Sequence, residues 1–138
     1  MLTQARLDGL RIDTVKHVDP SFWVPFVQSA GVFCTGEVLE GNTSYVAPFQ
    51  ELLPSVLGYP NYYDAVSAMS ATNGSMYSLY DKISAVKTLF ADSTLLGSFS
   101  ENADNPRFAS LTEDMALAKN VLTFTFLTDG MTCIPLQC

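Results

Sequence analysis

Three acidic residues in this sequence follow short apolar runs and have the chemistry of acid–base or nucleophilic catalysis. Asp13 lies in the stretch DGLRIDTVKH, Glu37 in GEVLEG and Asp104 in SENADNPRF. A carboxylate that stays ionised can act as a nucleophile or an electrostatic stabiliser, whereas a carboxyl with a raised pKa can act as a general acid. We therefore asked of each acid whether its neighbours favour the charged or the neutral form.

Asp13 has a cation beside it on the same face of a predicted strand. Residues two apart in a strand share a face, so Leu10 and Ile12 point one way while Arg11 and Asp13 point the other. A guanidinium beside a carboxyl favours the ionised acid and lowers its pKa. A structural ion pair at a strand end explains the same pattern equally well, so this stretch leaves both interpretations open.

Glu37 has apolar neighbours, Phe33, Val38 and Leu39. Such surroundings raise the pKa of a carboxyl toward that of a general acid. An ordinary loop glutamate is the commoner explanation for any single Glu.

The third acid, Asp104, lies in a crowded polar segment with Glu101, Asn102 and Asn105, just before Pro106. Asx residues before proline usually form turns, so this segment alone favours a turn over a site. Taken together, however, three separate runs each end in an acid, as catalytic residues do at the carboxyl ends of barrel strands. Two carboxyl groups with opposite pKa shifts, about 5–5.5 Å apart, are what retaining glycoside hydrolysis requires.

The elements that must position these acids alternate along the chain. Apolar runs predict strands, and apolar residues at helical spacing predict helices. Such alternation predicts an α/β fold with a parallel sheet and helices outside it. Strands are predicted at 7–15, 32–38, 55–60 and 93–100, and a last strand begins within DGMTCIPLQC. The first predicted helix runs from Asp19-Pro20 to Gly31, with Phe22, Trp23, Phe26 and Val27 inward. Further helices are predicted at 60–71, at 75–90 and from a Thr112 cap to Leu127, with Glu113 and Asp114 in the first turn of the last one, and a loop with a short helix is predicted at 42–55.

Length and composition limit the classes of function. The 138 residues suit one domain, and only 15% are charged, which suggests apolar surface meant for a further contact. A net charge of −7 argues against nucleic acid and acidic membranes as partners. No apolar run reaches the length of a membrane span, and the start MLTQARLDG lacks the apolar segment of a signal peptide.

The cysteines and glycosylation sequons do not narrow the class of protein further. Cys34, Cys133 and Cys138 are too few and too scattered for a disulfide framework, and no CxxC spacing exists. Asn42 and Asn73 each begin an N-glycosylation sequon, a triplet that also occurs often by chance.

Four stretches together resemble fungal secreted α-amylases of glycoside hydrolase family thirteen: DGLRIDTVKHV, GEVLEG, STLLGSFSENADNPRFAS and DMALAKNVLTF. The likeness runs from about Asp8 to Gly130 and includes three of the four short conserved regions of that family, in order. It implies a partial TIM (β/α)8 barrel in which residues 1–138 supply strands four to seven with their helices, without the earlier strands, the inserted domain, the last strand and the C-terminal β-domain. It implies retaining endo-hydrolysis of α-1,4-glucosidic bonds in starch and glycogen, in an extracellular setting.

The resemblance also implies roles for single residues. Asp13 is the expected nucleophile, Glu37 the proton donor and later base, and Asp104 the stabiliser of the transition state. The backbone carbonyl of His17 is an expected Ca²⁺ ligand, in a calcium site that this chain leaves incomplete; a lone His is otherwise more often packed or solvated. The expected substrate contacts are Arg11, Lys16, His17, Leu39 and Gly41.

Three positions depart from the family pattern. Ala103 stands where the family has a His that bonds substrate hydroxyls, and loss of such a contact costs roughly 2–4 kcal/mol of barrier. Val46 and Phe90 stand where fungal relatives have two cysteines bonded to each other. We therefore expect weak catalysis even in a complete barrel.

Three hypotheses follow from the sequence. The first is an α-glucan hydrolase. The second is a catalytically impaired fragment that acts at most as a glucan-binding or interaction module. The third is self-association of copies through open sheet edges, which a partial barrel exposes.

Overall fold

The computed structural model describes residues 7–134 of the chain as five short parallel strands with helices packed against them. The first three strands form one sheet in the order β1-β2-β3, and β4 pairs with β5. An isolated parallel bridge between Leu57 and Gly97 joins β3 to β4; we call it the β3–β4 junction. The predicted α/β class and parallel pairing are confirmed. The strands are β1 Gly9–Ile12, β2 Phe33–Gly36, β3 Ser55–Val56, β4 Gly97–Ser98 and β5 Met131–Thr132.

Each predicted helix is present, although the strands are shorter than their apolar runs. The segment 42–55 does contain the expected short helix, and 93–100 begins with a 3-10 turn before its two-residue strand. The α-helices are α1 Trp23–Ala30, α2 Thr43–Val46, α3 Tyr59–Met69, α4 Met76–Leu89 and α5 Met115–Leu127; the 3-10 helices are Val15–His17, Pro20–Phe22, Ala47–Glu51, Ser93–Leu95 and Phe108–Ser110.

The two ends of α1 follow the local sequence signals that predicted them. Asp19 caps the turn before α1 by accepting from the Ser21 N–H at 2.9 Å, and Gly31 ends α1 with φ of 65°, a left-handed conformation that suits glycine. The prediction that Phe22 points inward was wrong, since Phe22 remains 49% exposed.

The predicted cap of α5 was also wrong. Asp114 takes that position and accepts from the Ala116 N–H at 2.8 Å, so Glu113 and Asp114 precede the helix. Thr112 instead accepts from the Asp114 N–H at 3.2 Å. Both residues are good cap formers, and the one nearer the first helical turn satisfies the unpaired N–H groups.

The main core lies between the β1-β2-β3 sheet and the surrounding helices. Leu10 and Ile12 pack against it, as the two-residue alternation predicted. Val46 and Phe90, the two positions where the family resemblance implied cysteines, are both buried in this core. Apolar packing therefore occupies both positions. The fully or nearly buried members include Val15, Trp23, Cys34, Val38, Val56 and Val86.

Backbone hydrogen bonds bring the carboxyl ends of the strands to one rim. The register pairs Ile12 with Gly36, so Asp13 and Glu37 follow side by side. Glu37 N–H donates to the Ile12 carbonyl at 2.7 Å, which continues the pairing one residue beyond β2. At the β3–β4 junction the Gly58 N–H donates to the Gly97 carbonyl at 2.8 Å. The loops after β1, β2, β3 and β4 consequently begin at the same edge of the sheet.

Candidate active site

The three predicted catalytic carboxylates converge on the Arg11 guanidinium. Arg11 Nη2 lies 2.8 Å from Glu37 Oε1 and 3.8 Å from Asp104 Oδ2, while Arg11 Nη1 lies 3.6 Å from Asp13 Oδ1. One planar cation with several donors can contact several carboxylates at once, which a point charge cannot do as well. Residues more than 90 positions apart in the sequence thus meet at one place, because three strand ends share a rim.

A cavity of about 430 Å³ opens beside this cluster. Arg11, Asp13 and Asp104 line it, whereas Glu37 lies behind them and is only 4% exposed. The volume falls in the usual range for small-molecule sites. The other lining residues are Thr35, Leu57, Phe99, Glu101, Asn102, Ala103, Cys133 and Ile134.

Asp13 and Glu37 have opposite pKa shifts. A hydrogen bond from the Glu37 carboxyl, and less strongly the nearby Arg11 charge, lower the pKa of Asp13 below its ordinary value. Burial, reinforced by the hydrogen bond to Asp13, raises the pKa of Glu37 above its ordinary value. The sequence anticipated both directions, but it assigned the shift of Asp13 to Arg11 alone. The arrangement therefore favours ionisation of Asp13 over ionisation of Glu37.

Tyr59 is a site residue that the sequence reasoning missed. Its ring is fully buried, and its hydroxyl donates to Glu37 Oε1 at 2.9 Å and accepts from Asn102 Nδ2 at 2.7 Å. Burial, and then the Glu37 hydrogen bond and charge, raise the pKa of Tyr59 well above its ordinary value. The available signal was Tyr59-Pro60 shortly after a strand, since proline favours the first turn of a helix and Tyr59 begins α3.

The loop after β4 combines a turn with a site residue. Glu101 holds the loop, since it accepts from Arg107 Nη1 at 2.6 Å and from the Phe108 N–H at 2.9 Å. Asn102 Oδ1 accepts from the Asp104 N–H at 3.0 Å. The turn interpretation therefore fits Glu101 and Asn102, while the side chain of Asp104 faces Arg11.

The remaining predicted substrate contacts lie outside the cavity. Lys16 Nζ donates to the Leu39 carbonyl at 2.7 Å, and Lys82 Nζ donates to the Gly41 carbonyl at 3.0 Å. His17 ends the 3-10 helix after β1 and is exposed. The structure thus brings Lys16 and Leu39 together next to the catalytic rim, and their contacts with sugar stay predictions.

The described residues do not assemble a metal site from side chains. Within residues 7–134 no group of three or more His, Cys, Asp or Glu side chains is arranged to hold an ion. The predicted contribution of this chain is one carbonyl, that of His17, a hard oxygen ligand of the type calcium prefers. Calcium takes six to eight oxygen ligands, so a calcium site that includes this carbonyl would need its other ligands from elsewhere.

The thiols differ in their surroundings. Cys34 is buried in β2, and Cys133 is exposed at the cavity. Burial raises the pKa of the Cys34 thiol above its ordinary value. Cys138 lies outside the described residues.

No family model matches the sequence. Among curated proteins it is similar to α-amylase 1 of Lipomyces kononenkoae, with 52% identity over 97% of this chain and 22% of the relative. It is also similar to the α-amylase of Saccharomycopsis fibuligera, with 44% identity over 93% of this chain and 26% of the relative. The chain spans about a quarter of the length of these curated relatives.

Two solved α-amylase structures are also similar to this chain. An α-amylase from Malbranchea cinnamomea superposes with a TM-score of 0.93 and 48% identity over 95% of this chain and 28% of that chain. An α-amylase from Geobacillus thermoleovorans, solved with acarbose, superposes with a TM-score of 0.88 and 30% identity over 95% of this chain and 32% of that chain. None of the helices between residues 7 and 134 is long and apolar enough to span a lipid bilayer.

Proposed function

We propose that this chain is part of a protein of the α-amylase family and that its residues form the catalytic rim of a retaining glycosidase acting on α-1,4-glucosidic bonds of starch and glycogen. The observation that carries the proposal is the position of Arg11 within 4 Å of all three acids, at 2.8, 3.6 and 3.8 Å. That contact is what distinguishes a catalytic centre from three unrelated turn and loop acids.

The geometry of Asp13 and Glu37 supports retention over inversion. Both carboxyl groups contact the Arg11 guanidinium, at 3.6 and 2.8 Å, and each shifts the pKa of the other, which fits the short separation of about 5–5.5 Å in retaining enzymes better than the gap of about 6.5–9.5 Å in inverting ones. In the first step Glu37 gives its proton to the glycosidic oxygen while Asp13 attacks the anomeric carbon; the C–O bond to the leaving chain breaks and a glycosyl ester forms.

In the second step the same groups act in reverse. Glu37, now ionised, takes a proton from water, and the resulting oxygen attacks the anomeric carbon, which releases Asp13 and restores the starting configuration. Asp104 stabilises the positive charge that develops on the sugar in both transition states. Arg11 keeps the cluster from carrying three adjacent negative charges without compensation.

Other features of the complete protein stay proposals that this chain supports only in part. We propose that β1 to β4 are strands four to seven of the barrel and that β5 begins the eighth. We propose an extracellular site of action and a calcium site to which His17 adds its carbonyl, as in the fungal family that the sequence resembles.

A second candidate function follows from Ala103. This residue lines the cavity beside Asp104, and its methyl group cannot donate a hydrogen bond to a sugar hydroxyl. A rim that keeps the three acids but lacks this donor fits a glucan-binding module with little or no turnover.

Self-association is the third possibility for the isolated chain. Among the described residues β1 pairs only with β2, so its other edge presents free backbone groups. Light scattering of the 138-residue chain tests this: a folded monomer contradicts it.

Starch hydrolysis separates the two functional candidates. We would measure reducing-sugar release from soluble starch by the full 138-residue chain and by a complete-barrel chimera, in which this chain replaces the matching segment of the Malbranchea cinnamomea α-amylase. Turnover by the chimera that Asp13→Asn abolishes and the exposed Asp81→Asn control preserves supports the glycosidase. A folded chimera that binds maltooligosaccharides without turnover supports the binding module.

A further inference from the structure

We propose that Tyr59 is a positioning residue for Glu37: its hydroxyl holds the Glu37 carboxyl in place, and Asn102 holds that hydroxyl. The inference rests on the proposed function, because Glu37 requires a fixed position only if it acts as the acid and base. It adds two residues to the catalytic rim that the three acids and Arg11 do not include.

The hydrogen-bond directions in this link are fixed by its donors and acceptors. Asn102 Oδ1 already accepts from the Asp104 N–H at 3.0 Å and from Asn105 Nδ2 at 2.8 Å. Its amide nitrogen therefore faces Tyr59 and donates to the hydroxyl oxygen at 2.7 Å. A tyrosine hydroxyl has one proton, so Tyr59 directs that proton to Glu37 Oε1 at 2.9 Å.

The Tyr59 ring cannot swing away from this position. It is fully buried, with the Phe99 ring edge-on at a centroid distance of 5.0 Å and the Tyr62 ring edge-on at 6.1 Å. Such edge-to-face aromatic pairs are favourable geometries that restrict the ring. The main chain is also held, since the Gly58 N–H donates to the Gly97 carbonyl and Pro60 lies in the first turn of α3.

The link occupies one oxygen of Glu37 and places the acid proton on the other. Oε1 accepts from both Arg11 Nη2 at 2.8 Å and Tyr59 at 2.9 Å. With Oε1 occupied by two donors, the proton of the acid form resides on Oε2. The charged and titratable groups around Glu37 are Arg11 from β1, Asp13 just after it, and Tyr59 and Tyr63 from α3. Asp104 approaches the other side of Arg11.

The link also joins parts of the rim that come from different strands. Glu37 follows β2, Tyr59 follows β3, and Asn102 and Asp104 follow β4. Side-chain hydrogen bonds thus run continuously from the proposed acid to the backbone of the proposed stabiliser. Loss of the Tyr59 hydroxyl breaks this chain without removing any ring packing.

The direct test is the titration of Glu37 in the full 138-residue chain, followed by carboxyl ¹³C NMR and assigned with Glu37→Gln. In Tyr59→Phe we expect the Glu37 pKa to rise, because the lost donor stabilised the carboxylate. Tyr62→Phe is the matched control: Tyr62 is buried in the same aromatic cluster, with its ring 4.8 Å from Phe99, and should leave the titration unchanged. An unchanged Glu37 titration in folded Tyr59→Phe overturns the proposal.

A second variant changes the other end of the link, where the Asn102 amide donates to the Tyr59 hydroxyl. We expect Asn102→Ala to raise the Glu37 pKa in the wild-type background and to add little in the Tyr59→Phe background, since coupled residues are not additive. Equal effects of Asn102→Ala in both backgrounds contradict the link. If circular dichroism shows that Tyr59→Phe is unfolded, the single Asn102→Ala titration decides: a rise supports the link and no rise overturns it.

The kinetic readout separates this inference from the proposed function. In the complete-barrel chimera we expect Tyr59→Phe to lower kcat about 10-fold, the effect of about 1.4 kcal/mol in the barrier, with KM unchanged and the alkaline limb of the pH profile moved upward. A merely structural role would leave that limb in place. Persistent hydrolysis in Asp13→Asn would refute the glycosidase mechanism itself, while the NMR titration still reports on Tyr59.

Discussion

The Arg11 guanidinium lies closer to Glu37 than to Asp13, its neighbour two residues along the same strand. The distances are 2.8 Å to Glu37 Oε1 and 3.6 Å to Asp13 Oδ1. The cross-strand partner thus receives the shorter contact, and Asp13 obtains its lowered pKa first from the Glu37 hydrogen bond. Arg11 stabilises the cluster as a whole rather than a single acid.

Arg11→Lys tests this shared role. An ammonium is a point charge and cannot reach three carboxylates as the planar guanidinium does, so we expect kcat of the complete-barrel chimera to fall about 100-fold. Lys87→Gln, which removes a surface ion pair with Asp129 at 3.0 Å, serves as the control and should keep full activity. Activity within twofold of wild type in Arg11→Lys contradicts the shared role.

Glu37→Gln tests the pKa of the proposed acid through stability. The folded-state pKa of Glu37 lies above its ordinary value of 4.5, so between these two values the folded chain binds more protons than the unfolded chain. Stability from this group is therefore fully present below pH 4.5 and is lost as pH rises through the folded pKa.

Since glutamine stays neutral, we expect Glu37→Gln to be more stable than wild type at pH 7 and nearly equal to it at pH 3. Urea unfolding of the 138-residue chain at both pH values measures the difference. Glu51→Gln changes an exposed carboxyl and should show no such pH dependence. A lower stability of Glu37→Gln at pH 7 would show that the site favours the charged acid.

Ala103→His tests whether the rim lacks a hydrogen-bond donor at position 103. The position lines the cavity and is exposed, so an imidazole can enter without disturbing the core. A restored donor beside the reacting sugar contributes on the order of 2–4 kcal/mol of transition-state stabilisation, and we expect kcat of the chimera on soluble starch to rise at least 10-fold. Ala103→Phe adds comparable bulk without a donor and should give no gain; an equal gain in both variants would point to bulk alone.

Gly130→Ala tests the support of β4 and β5. Gly130 has φ of 126°, and an added Cβ would lie 2.5 Å from the Leu96 carbonyl oxygen and 2.5 Å from Ser98 Oγ. We expect a loss of about 3 kcal/mol or more in unfolding free energy, measured by urea titration.

Gly31→Ala is the comparison variant for that experiment. Gly31 is also left-handed, with φ of 65°, but an added Cβ would meet nothing within 4 Å. Its loss should be only about 1 kcal/mol, the backbone cost alone. Equal losses of unfolding free energy at the two glycines would mean that the contact with β4 does not contribute to stability.

Local sequence patterns were sufficient to predict much of the fold and to single out the three acids. The alternation of Leu10 and Ile12 with Arg11 and Asp13 predicts a strand with a core face and a polar face, and both faces are present. The Asp19 cap and the Gly31 end of α1 are also local signals, and both are confirmed. Such features depend on neighbours within a few residues, which a single sequence displays directly.

Features that depend on distant partners were not predictable in this way. Tyr59 lies in an apolar run and resembles a core residue, because its polar contacts come from Glu37, 22 positions earlier, and Asn102, 43 positions later. Phe22 resembled a core residue as well, although it is 49% exposed. Register and packing between strands decide such cases, and they are not encoded in local spacing.

The β3–β4 junction divides the proposed catalytic acids between two pieces of sheet, with Asp13 and Glu37 on one piece and Asp104 on the other. Within residues 7–134 these pieces are joined by one backbone bridge, the Tyr59–Phe99 ring contact, the Tyr59–Asn102 hydrogen bond and the Arg11–Asp104 contact. Adaptation of such an enzyme to cold or heat can therefore act at positions that never touch a sugar. Weaker contacts at the β3–β4 junction would favour rapid turnover in the cold, and stronger contacts there would preserve the alignment of the acids at high temperature.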